Sequence, residues 1–184
     1  MVKYAMVGII TFVVGASAWG VVQLNGLGGD EMYDQTEVAN ERFKMRITAY
    51  KEKGVFLPGV YFVFRSAPVE SDKWQDVITV KGDEPISIRR QQLGFVAPRI
   101  GYGFIGSHYM VTTDAGSNWV IWEAEKKLLD DEYQKRNNLS PYIEEIQLQP
   151  DGIGRMRLRK YFNDRERGSD LLTVDYGLNW YFKE

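Results

Sequence analysis

The sequence predicts a mainly β protein of antiparallel sheets or a meander, preceded by a single N-terminal transmembrane helix. Three observations predict it. Beyond residue 43, apolar and polar residues alternate over run after run, the period of a half-buried strand. The pattern T-x-D-x-G-x-N-W is written twice, as TTDAGSNW at 112–119 and TVDYGLNW at 173–180, each time between two such runs. From Tyr4 to Leu24 the chain has 21 uncharged, mostly apolar residues, and a helix needs ~20 to cross the hydrocarbon core.

Composition narrows the function classes. The chain has 184 residues, 44% hydrophobic and 26% charged, ordinary values for a globular domain with a short appendage. A net charge of −2 gives no basic footprint for nucleic acid. Cysteine is absent, which excludes a disulfide framework, thiolate metal sites and a cysteine nucleophile. A single histidine, His108, leaves no His-rich metal cluster and makes a Ser/His/Asp triad remote.

Residues 1–25 are read as a membrane anchor. Lys3 is the only charge before Asp30, so the N-terminus stays cytoplasmic and the acidic flank from Asp30 to Glu37 leaves. Residues 4–24 would contact the lipid bilayer, and the rest would be extracytoplasmic, periplasmic in a bacterium. Ala16-Ser17-Ala18 also fits a signal peptide cut after Ala18. The anchor is the favoured reading, because Trp19, Val21, Val22 and Leu24 continue the apolar run past that point. Ala16 and Gly20 form a small-xxx-small pair, a weak signal for helix contact.

Residues 26–42 read as a glycine-rich hinge and a short polar helix, with Thr36 as a possible N-cap. Residues 43–184 form the β domain. FKMRITAY at 43–50 puts Phe43, Met45, Ile47 and Ala49 on one face. GVYFVFR at 59–65 and DVITV at 76–80 follow, then runs at 93–97, 100–105, 108–113 and 119–123. A second helix is expected over 124–138, where Leu128, Leu129 and Tyr133 share a face and Glu132 precedes Arg136 by one turn. Strands resume near Ile146 and at 153–161, 171–175 and 179–182.

The octapeptide describes a hairpin that caps itself. Its Asp can accept hydrogen bonds from backbone N–H groups just beyond it. Its Gly can take positive φ, and its Trp begins the outgoing strand and can fold against the hairpin. In these residues, Thr112, Asp114, Gly116 and Trp119 and then Thr173, Asp175, Gly177 and Trp180, the sequence resembles the Asp-box, or bacterial neuraminidase repeat. A degenerate third copy is read in GVYFVFRSAPVESDKWQDV, giving a unit of ~50 to 60 residues, the size of one four-stranded β unit. The resemblance is to β-propeller proteins such as sialidases and photosystem II assembly and stability factors. Closed propellers typically have about four to eight blades, so it implies a sandwich or partial-propeller-like body here. It also implies structural roles for the two aspartates and two tryptophans.

Catalytic signals are thin. APRIG at 97–101 lacks the sialidase Phe-Arg-Ile-Pro signature, and GYGFIG at 101–106 opens no helix, so it is no nucleotide fingerprint. Asp130-Asp131-Glu132 lacks the alternating ligands of a calcium loop. Arg155, Arg157 and Arg159 would form a stripe on one strand face, suited to carboxylates, phosphates or headgroups, or else a solvated face balanced by neighbouring acids. Trp122 and Tyr181 are candidates to stack on a ligand. The expectation is a non-catalytic, membrane-tethered accessory or assembly subunit with protein partners and no nucleic acid, cofactor or metal. The alternative is an extracytoplasmic binding module for a glycan or a protein, including an inhibitor or immunity protein.

Overall fold

A computed structural model describes residues 29–53, 59–82, 84–124, 126, 141–159 and 169–182. The expected membrane segment lies outside them, as does almost all of the helix expected at 124–138. Among the described residues no helix is long and apolar enough to cross a membrane.

Among the described residues, twelve strands make three four-stranded antiparallel sheets. The first contains β1 (Glu31–Ala39), β2 (Phe43–Lys51), β3 (Val60–Pro68) and β4 (Gln75–Gly82), paired in that order. The second contains β5 (Leu93–Ala97), β6 (Ile100–Ile105), β7 (His108–Thr112) and β8 (Val120–Glu123), also in chain order. The third contains β9 (Tyr142–Leu148), β10 (Gly154–Arg159), β11 (Ser169–Thr173) and β12 (Tyr181–Phe182), again in sequence. Each sheet is therefore a meander.

β1 corrects the expectation of a polar helix capped by Thr36. Residues 31–39 instead pair with β2 along their length, Thr36 opposite Ile47 and Val38 opposite Met45. Tyr33 and Val38 pack against the first core cluster. An isolated polar helix would bury nothing; as an edge strand the segment gains a ladder of hydrogen bonds and two apolar contacts, so tertiary pairing overrides local propensity.

The sheets stack face to face. Phe43, Met45, Ile47, Phe62 and Phe64 of the first sheet meet Leu93, Ile105 and Met110 of the second in one core cluster. Phe104, Tyr109, Val111 and Trp122 of the second meet Ile146, Met156, Leu158 and Leu171 of the third in another. The middle sheet is thus covered on both faces. That explains why β7 has no polar face: Tyr109, Met110, Val111 and Thr112 are all buried.

The connections sort to two ends. At one, the turn end, Asn40 Nδ2 donates to Pro98 O (3.2 Å), tying the β1–β2 turn to the β5–β6 turn. The Ala115 amide donates to Arg99 O (2.8 Å), bringing the first octapeptide to the same end. The opposite end, the base, holds the start of β1 and the β6–β7 turn, where the Ala124 and Ile143 amides donate to Ser107 O and Gly106 O.

Candidate functional site

The octapeptides close the β7–β8 and β11–β12 hairpins with matching geometry. Thr112 Oγ1 donates to Asp114 Oδ1 (2.9 Å) and accepts from the Gly116 amide (3.0 Å). Thr173 Oγ1 repeats both contacts with Asp175 (2.8 Å) and Gly177 (2.9 Å). Each aspartate also accepts from the backbone and side-chain amides of the following asparagine, Asn118 or Asn179, at 2.9 and 2.7 Å. Gly116 and Gly177 both stand at φ 83°, in the region that favours glycine. At Gly177 a Cβ would also sit 2.6 Å from the Tyr109 hydroxyl.

Donors set the aspartate charges. The Asn118 side chain and amide, with Thr112, hold Asp114 below the usual carboxylate range. Burial pushes Asp175 up, but Asn179 and Thr173 outweigh it, and its pKa too is lowered. Both carboxylates are ionised at neutral pH, and each accepts three hydrogen bonds from within its own turn.

The tryptophans do something the sequence reading missed. Each precedes its outgoing strand rather than beginning it, and its indole reaches across to the preceding sheet. Trp119 lies edge-on to Phe64 (4.9 Å, 80°) and donates Nε1–H to Ser66 Oγ (3.1 Å). Trp180 lies edge-on to Tyr109 (5.5 Å, 85°), but its buried Nε1 has no acceptor. The tryptophans are staples between sheets.

The arginine stripe is placed on the outer face of the third sheet, and its neighbours answer it. Arg155 pairs with Asp170. Arg157 lies 3.2 Å from Glu145 and 3.9 Å from Asp170. The register explains this, because Arg157 stands opposite Glu145 on β9 and Asp170 on β11. Arg159 stands at the strand end opposite Tyr142. Arg155 and Arg157 thus each have acidic partners on the neighbouring strands. His108 Nε2 is 3.9 Å from Glu123, a local surface pairing.

Trp122 and Tyr181 separate. Trp122 is only 5% exposed, packed 6.5 Å from Trp180 in the core, so it offers no stacking platform. Tyr181 is 58% exposed. It stands at a cleft of about 230 Å³ between the outer strands of the second and third sheets, walled by Val120, Ile121 and Trp122 on one side and Leu178 to Tyr181 on the other. Val120, Ile121 and Leu178 are also exposed. Period-two reading hides this surface: Val120 and Ile121 are adjacent, so one should point inward, yet β8 is an edge strand and both reach solvent.

Both terminal faces of the stack carry paired charges. On the first sheet, Trp74 lies under the Arg46 guanidinium (4.1 Å) and near Lys44 Nζ (5.1 Å). Arg65 binds Asp76 (2.6 Å) and donates to the Tyr50 hydroxyl (3.0 Å), and Tyr50 stacks on Tyr61 (5.0 Å, 15°). Beneath this layer Thr48 and Val63 are buried. The third sheet carries the Arg155–Asp170 and Arg157–Glu145 pairs on its outer face, and Leu172, Val174 and Tyr181 are exposed, with Val174 at 70%.

A shallower cleft of about 470 Å³ opens at the turn end, lined by Arg42, Ala97 to Ile100 and Thr113. Among the described residues no group of three or more potential metal ligands forms. Compared with known proteins, the chain matches no family model, no curated protein and no solved structure.

Proposed function

We propose that the chain is a non-catalytic, membrane-tethered β protein that serves as an accessory or assembly subunit of a membrane protein complex. It grips a partner protein with the cleft between β8 and β12 and the exposed apolar residues beside it. The observation that carries this reading is the set of exposed apolar side chains around that cleft: Val120, Ile121, Leu178 and Tyr181, with Leu172 and Val174 also exposed, an apolar surface of the kind that marks interaction sites. The Asp-box resemblance is supported by three successive four-stranded meanders with matching turns in the second and third. A partial-propeller-like body is the finer fold we favour.

The test is affinity purification of the full chain from detergent-extracted membranes, read by mass spectrometry, beside the Ile121→Asp and Leu178→Asp variants. A partner retained by the parent chain and lost by both variants is expected. Recovery of the same proteins with all three chains removes the proposed surface, and recovery of the parent chain alone removes the accessory role.

A ligand-binding module is the second reading, favoured by Tyr181 at the cleft mouth, where an exposed ring can stack on a sugar. Binding on a glycan array that disappears with Tyr181→Ala would replace the first reading.

A further inference from the structure

Resting on the partner-protein reading above but not on the tether, we propose that the turn-end cleft beside Arg42 and Arg99 is an anion site that takes an acidic side chain of the partner. The cleft, of about 470 Å³, is lined by Arg42 of the first sheet and by Ala97 to Ile100 and Thr113 of the second. These residues, and the turns beside them at 40–42, 69–74 and 113–119, all lie among the described residues. Both arginine backbones are fixed. Asn40 Oδ1 accepts from the amides of Arg42 (2.8 Å) and Phe43 (3.0 Å), and Arg42 O accepts from the Val69 amide (3.0 Å). Arg99 O accepts from the Ala115 amide (2.8 Å), and Asn40 Nδ2 ties the two turns together through Pro98 O.

The two side chains are not engaged. Arg46, Arg65, Arg155 and Arg157 each meet a carboxylate on a neighbouring strand. Among the described residues neither Arg42 nor Arg99 makes an ion pair, and Glu41, next to Arg42 in the chain, makes none with either. The turn geometry does not require Arg99. In the third sheet Gly152 stands at the equivalent place: its carbonyl accepts from the Tyr176 amide (3.0 Å) as that of Arg99 accepts from Ala115, and Ile-Gly follows each.

A guanidinium fork matches a planar carboxylate, and Ala97, Pro98 and Ile100 offer apolar contact to the methylene stem that carries one. A phosphate dianion fits less well. Phosphate sites draw on free backbone N–H groups, whereas the amides of Arg42, Phe43, Ala115, Gly116 and Asn118 are held inside the turns. The ionised Asp114, next to Thr113, also opposes a second negative charge more than a first. The cleft is shallow, which suits a side chain presented by a protein surface better than a small molecule, since small-molecule pockets enclose most of their ligand. Thr113 lines this cleft and Val120 the β8–β12 cleft, at the two ends of the first octapeptide turn, so one partner surface can reach both.

The test titrates a fluorescent peptide of alternating glutamate and leucine with the full chain in detergent, beside the same peptide carrying glutamine in place of glutamate. Anisotropy is expected to show saturable binding of the glutamate peptide alone, weakened about tenfold or more by Arg42→Gln and by Arg99→Gln. Both arginines are exposed, so the variants should keep the urea midpoint of the parent chain. Lys81→Gln, the same charge change at the base, should leave binding as it was. The Nε–H signals of Arg42 and Arg99, each assigned by its loss in one variant, should shift together on titration. Absence of saturable binding up to about 1 mM peptide, equal binding of the glutamine peptide, or equal weakening by Lys81→Gln overturns the proposal. Displacement of the peptide by inorganic phosphate at matched ionic strength overturns it in favour of a phosphate site. In the affinity purification above, a partner kept by the Arg42→Gln, Arg99→Gln double variant and lost by Ile121→Asp removes this site and leaves the partner reading standing.

Discussion

Ser66 accepts the indole N–H of Trp119 at 3.1 Å across the first two sheets, and the matching place across the second and third is held by Val111. The equivalence follows from the rings: Phe64 and Tyr109 each receive a tryptophan edge-on, and Ser66 and Val111 lie two residues further along their strands. Val111 is buried and carries no acceptor, which accounts for the unpartnered Trp180 Nε1. Ser66→Ala should orphan Trp119 and lower stability by about 1–3 kcal/mol in urea unfolding. Val111→Thr should cost less than about 0.5 kcal/mol, because the new hydroxyl gains a donor otherwise unsatisfied. The indole resonance of Trp180 should move downfield in a 15N–1H spectrum. An unmoved resonance with a cost near that of Ser66→Ala would show that the two sites are not equivalent.

Thr112 and Thr173 are the buried hinges of their turns, each 1% exposed. Replacement by Val keeps the shape but removes the acceptor of a glycine amide and a donor to an aspartate. Each substitution should cost about 1–3 kcal/mol. The two should add, because the sites lie in separate sheets and share no partner. Urea midpoints of the single and double variants measure this.

The aspartates give a pH dependence with a fixed sign. Donors hold Asp114 and Asp175 below the ordinary carboxyl value of 3.8. A carboxylate with a lowered folded pKa stabilises the fold above its unfolded value and loses that contribution as pH falls through the folded one. Stability from this source should be level above about pH 5 and decline below about pH 4. The Asp114→Asn, Asp175→Asn double variant should have a lower plateau and a shallower acid limb. An acid limb identical to that of the parent chain would assign the acid sensitivity to other groups.

The reach of the sequence can be judged residue by residue. Alternation was enough to place Phe43, Met45, Ile47 and Ala49 on a buried face, since that face has one partner and period two encodes it directly. The turns were legible because Thr-x-Asp-x-Gly places acceptor, donor and positive φ within five residues. β1 was not legible: Met32 to Ala39 become strand through their pairing with β2, and no local signal carries that. The staple was hidden for the same reason, as Trp119 and Ser66 are 53 residues apart. The surface candidates divided likewise. Tyr181 is exposed and Trp122 buried, although both lie on edge strands beside the same cleft, and only the stacking of the third sheet on the second distinguishes them.

Trp74 supplies the last prediction, which concerns the cap of the first sheet. Its ring underlies Arg46 and neighbours Lys44, and those cations lie over a face whose Thr48 and Val63 are buried. Arg46 is also held by Glu37 on β1, so the ring, the guanidinium and the carboxylate form one layer. Trp74→Ala removes the packing surface beneath the cations, at an expected cost of about 1–2 kcal/mol. The larger consequence is exposure: Val63 and Ala67 gain access to solvent, and the first sheet gains an apolar patch. Such a patch can meet the exposed apolar residues at the β8–β12 cleft of another copy, a head-to-tail contact that does not close. Concentration-dependent self-association of Trp74→Ala in detergent, measured by sedimentation velocity, is therefore expected where the parent chain shows none through this face. Trp74→Phe keeps a ring under Arg46 and should restore the parent behaviour. Equal self-association of Trp74→Phe and Trp74→Ala would show that the cation–ring layer is not what closes this end of the stack.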